Sequence, residues 1–154
     1  MEMPKPTDAH RRLERLAGKW SGNEKISPAP WDPQGGTAAA RIQNRVALDG
    51  FALIQEYEQE RNGAVNFRGH GVFRYDTNGN AYVFHWFDSM NMGASEFRGD
   101  CKDNVFMLTG KNPQGLSRAT FDVKTEGRYS FKLEGSQDGK QWMTFMEGNY
   151  KRDA

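Results

Sequence analysis

Apolar and polar side chains alternate along most of this chain with a period of two residues. In the segment YSFKLE, residues 129–134, every second side chain is apolar, which is the pattern of a strand with one buried and one solvated face. Runs of this kind recur at the short intervals typical of sandwiches and barrels. They predict about ten strands, at residues 19–27, 39–48, 51–61, 65–75, 80–88, 94–101, 105–111, 116–125, 129–135 and 141–151.

Turn residues separate these runs, as Asn62-Gly63 and Asp138-Gly139 illustrate, and they predict consecutive hairpins. No helix-length pattern lies between two strands, so parallel βαβ units are a poor interpretation. A meander of about ten strongly twisted strands tends to close on itself, because closure removes exposed edges. The pattern therefore predicts an all-β fold, an antiparallel up-and-down β-barrel.

A short helix is predicted before the first strand. Thr7 or Asp8 can cap its start, and Gly18 can end it. One face carries the apolar side chains of Ala9, Leu13, Leu16 and Ala17. We expect this helix to plug one end of the barrel.

An irregular stretch joins the first two predicted strands. Residues 27–36 contain three prolines and two glycines, which exclude a central strand. In a barrel this connection can fold over the open mouth, where Trp31 would anchor a lid; a mobile surface loop is the equal alternative.

The turn at residues 62–63 sets the first register that matters for a binding site. As a two-residue type I′ turn, Asn-Gly would pair Tyr57 with Arg68 and Gln55 with His70. These four side chains would then share one face of the sheet.

The turn at residues 76–79 sets the next register. A type I turn with a glycine bulge would place Asp76 opposite Asn80 and His70 opposite Trp86. Without the bulge, the next strand would flip and bring His85 inside, beside His70. The bulged register gives the more coherent faces, with this predicted interior: Phe51, Leu53, Gln55, Tyr57, Arg68, His70, Val72, Tyr82, Phe84, Trp86 and Asp88.

Part of this predicted interior is suited to holding a ligand. Aromatic side chains with a few polar groups among them line small-molecule sites in barrels. Tyr57, Tyr82, Phe84 and Trp86 would supply contact area. Gln55, Arg68, His70 and Asp88 would orient the ligand; alternatively, Arg68 and Asp88 form an internal ion pair.

The composition is consistent with a single β-barrel domain and argues against some classes of binding partner. The 154 residues suit one domain, residues 1–154, and the 17 glycines and 19 aromatic residues suit short strands with tight turns. The net charge of +1 offers no electrostatic basis for binding nucleic acid or an anionic membrane.

Cysteine and histidine usage points to a reducing environment. Cys101 is the single cysteine, and the three histidines show no zinc-ligand spacing. The polar N-terminal segment MEMPKPTDAHRRLERLAG is neither a signal peptide nor a membrane span. We therefore expect a cytoplasmic protein without a metal site.

The motif Gly18-Lys19-Trp20 follows the predicted helix directly. It resembles the Gly-x-Trp signature at the start of the first strand of lipocalins and related calycins. The resemblance implies that the Trp closes the bottom end of the barrel. It also implies that an arginine of the last strand covers the Trp by a cation–π contact. Arg152 is the matching candidate.

Further segments are similar to a bacterial calycin-like domain family whose function is uncharacterised. They are LAGKWSG at 16–22, LDGF at 48–51, GVFRYD at 71–76, WFDS at 86–89 and GNYKR at 148–152. The opening motif is also similar to that of the nitrobindin-like haem barrels, which implies haem held by a histidine on a late strand. No histidine follows His85, so haem is the less favoured interpretation and the cofactor is left unknown.

The first functional hypothesis is binding of a small, partly apolar ligand inside the barrel. Three alternatives stay open: an enzyme using His70 as acid or base with Arg68 stabilising an anion, a haem protein, or a dimeric scaffold with a filled barrel. Outward-facing Phe73, Val83 and Phe87 would form its dimer surface.

Overall fold

The alternating pattern folds into a closed barrel of ten antiparallel strands. The computed structural model describes residues 1–30 and 32–153. Each strand pairs with its neighbours in the chain, and the first strand closes on the last. The strands are β1 (Gly18–Ile26), β2 (Gly36–Ala47), β3 (Ala52–Arg61), β4 (Ala64–Asp76), β5 (Ala81–Asp88), β6 (Ser95–Lys102), β7 (Val105–Asn112), β8 (Gly115–Asp122), β9 (Arg128–Ser136) and β10 (Met143–Arg152). The predicted architecture is confirmed.

The N-terminal helix closes one end of the barrel. It is one α-helical turn, α1 (Asp8–Arg11), continued by a 3₁₀ segment (Arg12–Leu16). Leu13 and Leu16 are buried in the core. Tyr82 donates from its hydroxyl to the Ala9 carbonyl at 2.6 Å, which ties the helix to β5. We call this the plugged end.

The Gly-x-Trp motif and the last strand meet at the plugged end. The Arg152 guanidinium lies 4.7 Å from the centroid of the Trp20 ring. Trp20 donates through Nε1 to the Leu16 carbonyl at 2.9 Å. Arg152 also binds Glu126 at 2.8 Å, so this group joins the helix, β1, β10 and the segment before β9.

A bulge in β4 changes the predicted interior. The turn at 62–63 pairs Arg61 with Ala64 as expected, but Asn66 is an extra residue between two paired positions. Beyond it, Tyr57 lies opposite Gly69 and not Arg68. One extra residue exchanges the two faces of a strand.

The predictions that Arg68, His70 and Val72 face the interior are therefore wrong. The inward positions hold Gly69 and Gly71 instead, and aromatic rings from β5 fill the space. A Cβ on Gly69 would lie 2.0 Å from the Trp86 ring, and one on Gly71 would lie 2.4 Å from Phe84.

The β4–β5 turn is one residue longer than predicted. Asp76 pairs with Ala81 and not Asn80, so His70 lies opposite Phe87 and not Trp86. This shift cancels the first one. Tyr82, Phe84, Trp86 and Asp88 consequently keep their predicted inward face.

His85 faces outward, so the alternative in which it joins His70 inside is also wrong. Its Nε2 accepts from Arg74 Nε at 3.0 Å on the outer wall.

The outward apolar patch predicted as a dimer surface does not form. Phe73 points into the barrel, where its ring packs 5.1 Å from that of Phe121. Val83 is fully buried, and only Phe87, 48% exposed, remains at the surface.

The connection between β1 and β2 lies at the open end, opposite the plug. Arg61 binds Asp32 at 2.7 Å and the Gly35 carbonyl at 2.8 Å, which fastens the loop to the end of β3. Trp31, the predicted lid anchor, lies outside the described residues.

Candidate functional site

Several inward-facing apolar side chains at the open end of the barrel remain partly exposed. We call this group of half-buried side chains the cup. It consists of Phe67, Trp86, Phe97, Phe131, Leu133 and Met146.

Aromatic rings form one wall of the cup. Tyr57 lies with its ring centroid 6.0 Å from that of Phe67 and 5.9 Å from that of Trp86. Trp86 packs 5.8 Å from Phe84, which lies one layer deeper. Gly69 and Gly71 leave the room on β4 that these rings occupy.

A buried carboxylate lies beneath this wall. Glu24 on β1 is only 1% exposed. Its oxygens accept hydrogen bonds from the Tyr57 hydroxyl at 2.6 Å, the Tyr150 hydroxyl at 2.6 Å and Gln59 Nε2 at 2.9 Å. We call these four residues the floor.

A glycine on β10 permits this arrangement. Gly148 lies directly across from Glu24 in the β1–β10 register. A Cβ at Gly148 would lie 2.0 Å from the Tyr150 hydroxyl oxygen. The missing side chain therefore lets Tyr150 lie along its own strand and reach the carboxylate.

The tyrosines of the floor stay protonated. Burial, and after it the charge of Glu24, raises the pKa of both Tyr57 and Tyr150. Protonated hydroxyls donate to a carboxylate, and Gln59 also donates to the Tyr57 oxygen at 3.1 Å. Among the described residues Glu24 receives neutral donors and no cation.

Gln55 lies just below the floor and is 3% exposed on the inner face of β3. Its Nε2 has no acceptor at full hydrogen-bond geometry among the described residues. The side chain faces the Tyr129 hydroxyl, whose pKa is raised by burial and lowered, to a smaller extent, by Gln55. Buried donors of this kind cost free energy unless a ligand or water accepts from them.

The predicted ligand residues are divided between four regions. Gln55, Tyr57 and Trp86 meet at the cup and floor, with Phe84 beneath. Asp88 lies at the rim, where its Oδ2 accepts from Trp86 Nε1 at 2.8 Å. Tyr82 belongs to the plugged end.

Arg68 and His70 lie on the outer wall. Arg68 Nε is 3.7 Å from Glu58, and His70 Nδ1 is 2.6 Å from Glu56. The predicted internal ion pair of Arg68 with Asp88 is wrong, because Asp88 lies opposite Gly69. An enzyme built on these two residues has no geometric basis inside the barrel.

The histidines do not fit haem ligation in the cup. His10 belongs to the plug, where its Nδ1 accepts from the Thr7 backbone N–H at 3.0 Å. His70 and His85 are on the outer wall. The described residues also contain no group of three or more His, Cys, Asp or Glu side chains arranged to hold a metal ion.

The floor residues Glu24, Gln59 and Tyr150 were missed by the sequence reasoning. A signal was present in β1: Glu24 lies four residues after Trp20, so both share a face in a period-two strand. Acidic side chains are mostly exposed in proteins, so Glu24 was expected to face solvent despite this spacing.

Comparison with known proteins places the chain in a family and a fold. The crystal structure of Rv2717c from M. tuberculosis superposes with a TM-score of 0.71 at 11% identity, covering 96% of this chain and 99% of that one. The S-type phycobiliprotein lyase CPES from Guillardia theta gives 0.61 at 13% identity, covering 97% and 99%. At these identities the likeness shows the fold alone.

No curated protein matches the sequence significantly. Within residues 1–30 and 32–153, every helix is too short or too polar to cross a bilayer. The family model described as protein of unknown function (DUF1579) matches residues 5–152. The chain therefore belongs to the DUF1579 family.

Proposed function

We propose that the cup binds a small, partly apolar molecule. The observation that carries the proposal is that inward-facing aromatic side chains stay partly exposed at the open end, directly above a buried polar floor. Binding sites for small molecules combine these two features, apolar contact area and a few convergent polar groups.

The residues of the site have separate roles in this proposal. Trp86 and Phe67 supply apolar contact to the body of the ligand. Tyr57 and Gln59 border both the cup and the floor and so orient the polar group.

The similar fold of a phycobiliprotein lyase supports a small-molecule role over a filled scaffold. We also propose a cytoplasmic location, because Cys101 is the single cysteine, and no nucleic-acid partner, because the net charge is +1. Dimerisation stays a prediction, which sedimentation equilibrium at high micromolar concentration tests.

Trp86→Ala tests the cup directly. Extracts of the purified protein are analysed by mass spectrometry, and lipids, haem and aromatic metabolites are screened by thermal shift. We expect Trp86→Ala to weaken binding of any hit about tenfold, because it removes a large aromatic contact.

Phe87→Ala is the matched control, since Phe87 is the next residue and lies on the outer wall. It should leave the affinity unchanged. Equal affinities for wild type and Trp86→Ala, or a screen without any hit, would contradict binding in the cup.

A further inference from the structure

The charge of the floor and rim extends the proposal to a ligand class. We infer that the cup selects organic cations, an amine on an apolar body, and rejects carboxylates such as fatty acids. This inference rests on the proposed binding function of the same cup.

The first argument is the uncompensated charge of the floor. All three polar partners of Glu24 are neutral and donate to it, and hydrogen bonds of this kind favour the charged form of a carboxyl group. Neutral donors stabilise the charge without cancelling its field. In the partly buried cup that field attracts a cation and repels a second carboxylate.

The second argument is the charge at the rim. Asp88 accepts from two neutral donors, Trp86 Nε1 and the Met90 backbone N–H. The cation at the end of β3, Arg61, is already bound to Asp32. Glu24 below the cup and Asp88 at its rim are thus two carboxyl groups whose side-chain hydrogen-bond partners are neutral.

The third argument is independent of formal charge. The electron-rich faces of Trp, Tyr and Phe rings attract ammonium groups. The cup contains Phe67, Trp86 and Phe131 from β4, β5 and β9, and the Tyr57 ring of the floor packs against the first two of them. A cation in the cup would therefore be attracted both by the aromatic rings and by the carboxyl group below them.

Three probes with one aromatic body test the inference: 1-naphthylmethylamine, 1-naphthylmethanol and 1-naphthoate, titrated into the full chain by calorimetry. We expect the amine to bind about tenfold or more tightly than the carboxylate, with the alcohol between them. Glu24→Gln should reduce this difference, whereas Glu58→Gln, a carboxylate on the outer wall next to Tyr57, should preserve it.

The wild-type ranking tests the inference even where Glu24→Gln fails to fold. Equal affinity for amine and carboxylate, or preference for the carboxylate, overturns the charge selectivity and leaves the binding function intact. Absence of binding by all three probes counts against the cup as a binding site, and the inference falls with it.

Discussion

Individual residues show how this barrel accommodates buried polar groups. Glu24 is held by three donors from β3 and β10, each of which meets a need that water would otherwise meet. His10 illustrates the same rule at the plugged end. Its ring packs edge-on against Phe51 at 5.0 Å and Tyr75 at 5.5 Å while Nδ1 accepts from Thr7.

His10 should make the stability of the fold depend on pH. Burial, and after it the charge of Arg11, lowers the pKa of His10 from its ordinary value of 6.5. The unfolded chain therefore takes up a proton near pH 6.5, while the folded chain resists it. Stability is complete above this pH and falls as the pH drops toward the lower folded value, by at most about 1.4 kcal/mol per pH unit.

Urea denaturation between pH 7.5 and 5.0 measures this effect. His10→Gln should be less stable overall but should show a shallower decline over this range. Parallel curves for wild type and variant would contradict a buried neutral His10.

At the scale of elements, one bulge determines which side chains of β4 face the cup. Asn66 is the extra residue, and it turns Gly69 and Gly71 inward. The alternative face would bury Arg68 and His70, whose partners Glu58 and Glu56 lie on the outer wall. The bulged register thus satisfies packing and charge together.

Gly69→Ala should damage the cup. Its Cβ would meet the Trp86 ring at 2.0 Å, so the ring must move. We expect a loss of about 1–3 kcal/mol in the free energy of unfolding and weaker probe binding. Denaturant titration and calorimetry measure the two effects.

Arg68→Ala is the control on the same strand. An exposed, outward side chain should change stability by less than about 0.5 kcal/mol and leave probe affinity unchanged. A loss of binding in Arg68→Ala would restore the original prediction of an inward Arg68 and contradict the bulged register.

At the scale of the whole molecule, closure depends on the contact of the first and last strands. β1 pairs with both β2 and β10, so the barrel has no free edge among these strands. Arg152 reinforces the junction, because it covers Trp20, binds Glu126 and donates to the Ala17 carbonyl at 3.3 Å.

Arg152→Ala should loosen this junction. We expect a loss of about 1–2 kcal/mol of stability from the cation–π contact and the partly exposed ion pair. Amide exchange should accelerate first in β1 and β10 and not in β4 or β5. Uniform acceleration around the barrel would show that Arg152 has no local role in closure.

The amino-acid sequence by itself determined the architecture. Period-two alternation and turn residues are local properties, and they identified the ten strands to within a few residues and their closure into a barrel. The resemblance of Gly18-Lys19-Trp20 to the calycin signature also implied the closed end of the barrel and its Arg152 cover. The inward set of β5 was also predicted, although through two one-residue errors that cancel.

Only the tertiary structure decided the contents of the site. The bulge at Asn66 has no strong local signal, since it is selected by how Trp86 and Phe84 pack over Gly69 and Gly71. From its sequence Glu24 is expected at the surface. Only the folded barrel brings Tyr57, Gln59 and Tyr150 to it, from strands distant in the sequence. Side-chain alternation depends only on neighbouring residues in the sequence. Contacts across the barrel decide which face a strand turns inward after a bulge, and they also decide which groups surround a buried charge.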